Sequence, residues 1–62
     1  MLFTVRFSSP MYPDHYSNNN LGFSPPSEQP PTMSVEDAID VAKFLLDNGA
    51  TKVHIRHAKK QE

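Results

Sequence analysis

The feature that most constrains the fold of this chain is a helix. The sequence marks both of its ends. Ser34 is a favourable N-cap residue, and Asp37 three positions later can reach back as in a capping box. Apolar residues then recur every three or four positions, which is typical of an amphipathic helix. Asn48 and Gly49 supply the left-handed turn on which many helices end. The pattern therefore predicts a helix over residues 35–48.

Two other stretches alternate polar and apolar residues, as half-buried strands do. They predict strands over residues 2–8 and 51–57. Residues 9–32, which separate the first strand from the helix, hold all six prolines. Because proline lacks an N–H donor and fixes φ, we predict an irregular segment here, with at most a short edge strand around residues 21–23. Residues 58–62 are assigned to a tail.

These elements indicate one small α+β domain spanning residues 1–62, with one helix packed on a two- or three-stranded sheet. The last strand is expected beside the first, either parallel through a right-handed crossover or with a short middle strand between them. Such a small sheet has open edges, through which a partner or a second copy can pair. The predicted core comprises Phe3, Val5, Phe7, Val35, Ala38, Ile39, Ala42, Leu45, Val53 and Ile55.

Composition narrows the class of protein further. The chain has 62 residues, a formal net charge of −1 and no cysteine, so disulfides, thiolate metal sites and cysteine nucleophiles are excluded. The near-neutral charge argues against an acidic mimic of DNA and against a general polyanion binder. No signal peptide and no membrane-spanning stretch is recognised, which predicts a cytoplasmic protein without a membrane partner.

The three histidines do not predict a metal or catalytic centre. His54 and His57 lie three apart on a predicted strand and therefore point to opposite faces, while His15 lies in the irregular segment. The chain has no glycine-rich phosphate loop and no nucleophile motif. We therefore predict a non-enzymatic protein with no cofactor and no metal. A small RNA-cleaving toxin that uses the His/Arg strand remains an alternative.

The outward face of the sheet is the best candidate site. If Val53 and Ile55 face the helix, their neighbours on the strand face away from it, and one arginine of the first strand joins them. An uncovered sheet face must be polar in any case, but basic side chains gathered on a nearly neutral protein favour an acidic protein partner. Nucleic acid ranks second, because no aromatic side chains are expected on this face. The predicted partner-binding residues are Arg6, Lys52, His54 and Arg56, with Lys59 and Lys60 extending the face.

The run from Ser34 to Ala42, then Gly49, then Val53-His54-Ile55-Arg56 follows a recognisable layout. It resembles the small inhibitors of host RNA polymerase that podovirus-type phages encode. In that family, outward arginines of the final strand contact an acidic surface of the polymerase β′ subunit. The resemblance implies this role for Arg56, and for His54 where the family has arginine. It also implies a phage protein that takes part in host takeover in the host cytoplasm.

Overall fold

A computed structural model of the chain describes residues 1–58. The helix packs on one face of a four-stranded antiparallel sheet whose strand order is β3-β2-β1-β4. The small α+β class is thus confirmed, and the sheet has four strands where the sequence predicted two or three. The elements are β1 (Phe3–Ser8), β2 (His15–Ser17), β3 (Phe23–Ser24), α1 (Val35–Asp47) and β4 (Lys52–His57).

The last strand pairs directly with the first and runs antiparallel to it, so both expected arrangements, the parallel crossover and a middle strand between the two, are wrong. The reason lies in where the helix begins. The N–H of Phe3 donates to the carbonyl of Met33 at 2.7 Å, and the N–H of Met33 returns a bond of 2.9 Å, which fixes the start of α1 beside the start of β1. After α1, the N–H of Thr51 donates to the carbonyl of Ser8 at 2.9 Å, at the far end of β1. The chain can therefore return only against the direction of β1.

Residues 9–32, predicted to be irregular, contain the two short strands β2 and β3. A tight turn joins them, in which the Oδ1 atom of Asn18 accepts hydrogen bonds of 2.8 Å from the N–H groups of Asn20 and Gly22. Leu21 in the same turn has a positive φ of 63°. The stretch from Asp14 to Ser24 contains no proline, so a ladder can form there although prolines flank it. The expected edge strand near residues 21–23 is displaced to Phe23–Ser24.

Ser34 and Asn48 cap α1 as the sequence predicts, but the Asp37 side chain accepts from Asn19 and does not reach back to complete a capping box. The Oγ atom of Ser34 accepts from the N–H of Asp37 at 3.2 Å, and the Asn48 side chain donates to the carbonyl of Phe44 at 2.8 Å. Gly49 follows with φ of 99°, a backbone conformation that residues other than glycine rarely adopt. The helix observed over Val35–Asp47 compares with the prediction of 35–48. Within residues 1–58, no helix has both the length and the apolarity required to cross a membrane.

Fewer residues are buried than the sequence predicted, and a different face of the helix packs against the sheet. The predicted core residues Val35, Ile39 and Ile55 are instead 44%, 44% and 38% exposed. Met33, just before the helix, and Val41 take their places, because α1 turns a different part of its broad apolar surface toward the sheet. The buried apolar residues are Val5, Phe7, Met33, Ala38, Val41 and Leu45, with Phe3, Leu21, Ala50 and Val53 packed around them.

Candidate functional site

The sheet face opposite α1 gathers the predicted partner-binding residues. On β4, the three side chains that alternate away from the helix are Lys52, His54 and Arg56, and all three are exposed. We call these three residues the basic row. Lys59 and Lys60, predicted to extend it, lie outside the described residues. Across the ladder, the partners of the basic row on β1 are Ser8 for Lys52, Arg6 for His54 and Thr4 for Arg56.

Arg6 stands beside the row but is not a free cation. Its Nε atom lies 2.5 Å from Asp14 Oδ1 and its terminal nitrogen 2.9 Å from Asp14 Oδ2, in a bidentate pair. These hydrogen bonds from the guanidinium hold the pKa of Asp14 below its ordinary value and raise the pKa of Arg6. The hydroxyl of Ser8 accepts from the N–H of Asp14 at 3.0 Å and so helps to position the carboxylate. Of the four basic side chains predicted for this face, that of Arg6 is thus neutralised by Asp14, and the other three form no salt bridge within residues 1–58.

The basic row has no such counterpart. Within residues 1–58, the Arg6–Asp14 pair is the one salt bridge, so no carboxylate there neutralises Lys52 or Arg56. The basic row and the Arg6–Asp14 pair together line an open depression of about 480 Å³ on the outer face. A depression of this kind, in which Lys52 and Arg56 supply two cations beside the neutralised Arg6–Asp14 pair, can receive carboxylate or phosphate groups from outside the chain.

An aromatic side chain does lie on this face, contrary to the expectation that none would. Tyr16 of β2 is the cross-strand partner of Arg6, and the Arg6 guanidinium carbon lies 5.9 Å from the centre of the Tyr16 ring. Sequence reasoning missed it because β2 was not predicted. Its ring is partly occupied by the guanidinium, so it is not a free stacking platform for a base.

The three histidines lie apart from one another. His54 points to the outer face, whereas the ring of His57 lies 4.6 Å from that of Phe3 on the helix side of the sheet. His15 is paired with Phe7 at the other end of β1, and its Nδ1 atom lies 3.0 Å from the carbonyl oxygen of Pro13. No pair of imidazoles is thus placed to act as an acid and a base on one substrate. Across residues 1–58, no three potential metal ligands converge.

An aromatic groove on the other side of the molecule was also not foreseen. It has a volume of about 340 Å³ and lies between the C-terminal end of α1 and the β1–β2 connection. The ring of Tyr12 lies 4.8 Å from that of Phe23, which in turn lies 4.8 Å from Phe7. Phe44, at the groove wall, is 45% exposed. No charged side chain of residues 1–58 lines the groove, and its polar lining side chains are those of Ser9, Tyr12 and Asn48.

Fold and site together define a small α+β domain with an exposed basic row on an edge strand. Comparison with known proteins finds no matching family model and no significant match among curated proteins or solved structures. The resemblance to phage-encoded polymerase inhibitors stays a prediction. The functional argument must therefore come from the geometry of the site.

Proposed function

We propose that this protein is a non-enzymatic binding module that attaches through its basic row to an acidic surface of another protein. The observation that supports this most directly is the exposed alignment of Lys52, His54 and Arg56 on one strand, which no carboxylate of residues 1–58 neutralises. Aligned charges steer an oppositely charged partner and fix its orientation. The neutralised Arg6–Asp14 pair beside the row confines the positive charge to β4.

The specific partner that we propose is bacterial RNA polymerase, with the protein acting as a phage-encoded inhibitor in the host cytoplasm. The support is the resemblance described above, in which basic residues on the outer face of the last strand meet an acidic polymerase surface. His54 and Arg56 occupy that position here. Binding at this face requires no cofactor.

A capture experiment tests the general proposal. Tagged protein is incubated with nuclease-treated bacterial lysate beside a His54→Glu/Arg56→Glu variant. Its control is Gln29→Glu/Lys43→Glu, which replaces two exposed residues that lie outside the strands of the sheet. Both double variants lower the formal net charge from −1 by three units, one for the neutral residue and two for the cation. Any difference between them therefore reports position rather than total charge.

We expect wild type and control to retain one host protein near stoichiometry, and the β4 variant to lose it. Equal retention by a correctly folded β4 variant contradicts the proposal. Recovery of polymerase subunits, followed by inhibition of purified polymerase in a transcription assay, tests the specific partner. Capture of a different protein rejects polymerase and leaves the binding module in place.

Single-stranded nucleic acid is the second candidate, because the depression lined by Lys52 and Arg56 can receive phosphate groups as well as carboxylates. Such binding depends on counterion release, so affinity falls steeply with salt, by a slope of about −0.7 per neutralised phosphate on a log–log plot. Fluorescence anisotropy with a labelled RNA oligonucleotide at several salt concentrations tests this. Absence of binding at low salt rejects nucleic acid as the partner.

A further inference from the structure

The outer edge of β4 exposes a regular set of backbone groups. The carbonyl of Leu2 accepts from the N–H of Ala58 at 2.9 Å, so on β4 the residues in phase with Ala58 turn their backbone groups toward β1. These are the residues of the basic row. The alternate residues Val53, Ile55 and His57 therefore direct their N–H and C=O groups away from β1. Among residues 1–58 no strand pairs with that side of β4.

An apolar flank of the helix borders the same edge. Val35, Ile39 and Leu46 are 44%, 44% and 58% exposed, and at 100° per residue they lie on one line along α1. We call these three residues the exposed flank. Asp37 and Phe44 mark the opposite side of the helix, because Asp37 contacts Asn19 in the β2–β3 turn at 3.4 Å and Phe44 lines the aromatic groove.

Since that opposite side faces β2 and β3, the exposed flank is turned toward the β4 side of the sheet. Ile55, which points to the helix side of the sheet, is 38% exposed there for the same reason. A strand laid against β4 would thus have two different surroundings. Its side chains on one face would meet the exposed flank and Ile55, and those on the other face would meet the basic row.

We propose that the partner contributes an extended segment, alternating acidic and apolar residues, that adds to the free edge of β4 as a fifth strand. Its backbone would bond to the free groups of Val53, Ile55 and His57, as in other cases of strand addition. Its apolar side chains would cover the exposed flank, and its carboxylates would pair with Lys52 and Arg56. The inference rests on the proposed function and names the form and chemistry of the partner surface.

Charge argues against a second copy of this chain as the occupant. When two copies of β4 pair antiparallel with both helices on one side of the joined sheet, basic row meets basic row. In the register centred on His54, Lys52 of each copy faces Arg56 of the other. Like charges directly opposite each other destabilise a strand pair, and charged edges are a common protection against self-association. The same charges attract an acidic strand.

The test uses the full chain labelled with ¹⁵N and three synthetic peptides. The probe is a capped heptapeptide with glutamate at alternate positions and valine or isoleucine between them. One control replaces every glutamate with lysine, and the other keeps the acidic sequence but carries N-methyl groups on the backbone nitrogens of one edge. Amide hydrogen exchange and chemical shifts are followed by NMR at rising peptide concentration.

We expect the acidic peptide to slow exchange at the outward-facing amides of Val53, Ile55 and His57 by about tenfold or more at saturation, as protection by new backbone hydrogen bonds requires. The amides of the basic row, already bonded to β1, should change little. The lysine peptide should not bind, and the N-methylated peptide with its blocked edge should bind at least about tenfold more weakly, a loss of 1.4 kcal/mol.

Three results would overturn strand addition. Shifts confined to the basic row without slowed exchange would indicate binding on the flat face; the proposed function would then survive without this inference. Protection of the same amides in peptide-free samples that increases with protein concentration would indicate a second copy. Failure of the acidic peptide to bind at any concentration tested also rejects the proposal, while the lysate capture decides the proposed function separately.

Discussion

Two adjacent leucines on α1 have opposite surroundings. Leu45 is 4% exposed and belongs to the core, whereas Leu46 is 58% exposed and lies on the exposed flank. The helix thus carries two apolar lines, one that holds it on the sheet and one that touches little of the described chain. The first line accounts for folding. The second is left exposed by folding, and because it is turned toward a free strand edge we propose that it contacts the partner.

The largest expected effect comes from the buried line. Leu45→Ala should lower the free energy of unfolding by about 2–5 kcal/mol, because it removes buried methyl groups and leaves a cavity. In a domain of this size, that loss is a large part of the total stability. Urea unfolding followed by circular dichroism measures it. A wild-type midpoint for this variant would show that α1 does not pack as described.

The second prediction separates binding from folding on the exposed flank. Ile39→Glu should weaken binding of the acidic peptide by about tenfold or more, since it places a charged, hydrated side chain against the apolar side chains of the incoming strand, while stability changes by about 0.5 kcal/mol or less. Isothermal titration measures the affinity. Phe44→Glu is the matched control, with the same added charge and similar exposure on the opposite side of the helix.

If Ile39→Glu and Phe44→Glu weaken the peptide equally, charge alone explains the effect and the exposed flank has no special role. If Phe44→Glu is the more damaging variant, the aromatic groove is the binding site. Either result would remove the distinction between the two apolar lines on which the strand-addition model depends.

The third prediction concerns acid. Hydrogen bonds from Arg6 hold the pKa of Asp14 below its ordinary value in the folded protein. A carboxyl with a depressed folded pKa stabilises the fold above its unfolded pKa, and that contribution disappears as pH falls through the folded pKa. Asp14→Asn should therefore melt at a slightly lower temperature than wild type at pH 7, and the difference should vanish toward about pH 2.

The same Asp14→Asn variant also changes the charge on the outer face of the sheet. It releases the Arg6 charge next to the basic row, so the acidic peptide should bind more tightly at low salt and lose that gain at high salt. Melting curves at several pH values and titrations at two salt concentrations provide the measurements. An unchanged difference in melting temperature across the acid range would show that Asp14 is not held by Arg6.

The smallest effect is expected at the neighbour of the buried leucine. Leu46→Ala should leave the free energy of unfolding within about 0.5 kcal/mol of wild type, because its side chain is largely in water in both states. The same urea experiment used for Leu45 measures it. A loss comparable to that of Leu45→Ala would mean that both apolar lines are buried in solution, as in an oligomer.

Local sequence signals predicted the helix ends well, since Ser34 and Asn48 act through bonds to residues only three or four positions away. The orientation of the helix was not predictable in the same way. Apolar residues cover so much of α1 that periodicity alone cannot choose between the lines of Leu45 and Leu46. That choice depends on Met33 pairing with Phe3, a contact between residues thirty positions apart.

In the candidate site too, features set by local sequence were predicted and features set by long-range contacts were not. Alternation along one strand placed Lys52, His54 and Arg56 on a common face without knowledge of the topology. Asp14 and Tyr16 were missed because they join the face through β2, whose three residues carry no readable alternation. The free edge of β4 follows from the order of the strands in the sheet, which local sequence patterns cannot predict.

One pair of variants tests the central claim that the protein binds its partner at β4. Lys52→Glu and Lys43→Glu make the same substitution at two exposed lysines, one in the basic row and one on the helix. Quantitative mass spectrometry of proteins captured from bacterial lysate should show the wild-type partner retained by Lys43→Glu and depleted by Lys52→Glu by about tenfold or more, equivalent to 1.4 kcal/mol. Equal retention by the two folded variants would contradict the account, because the partner would then bind elsewhere on the molecule.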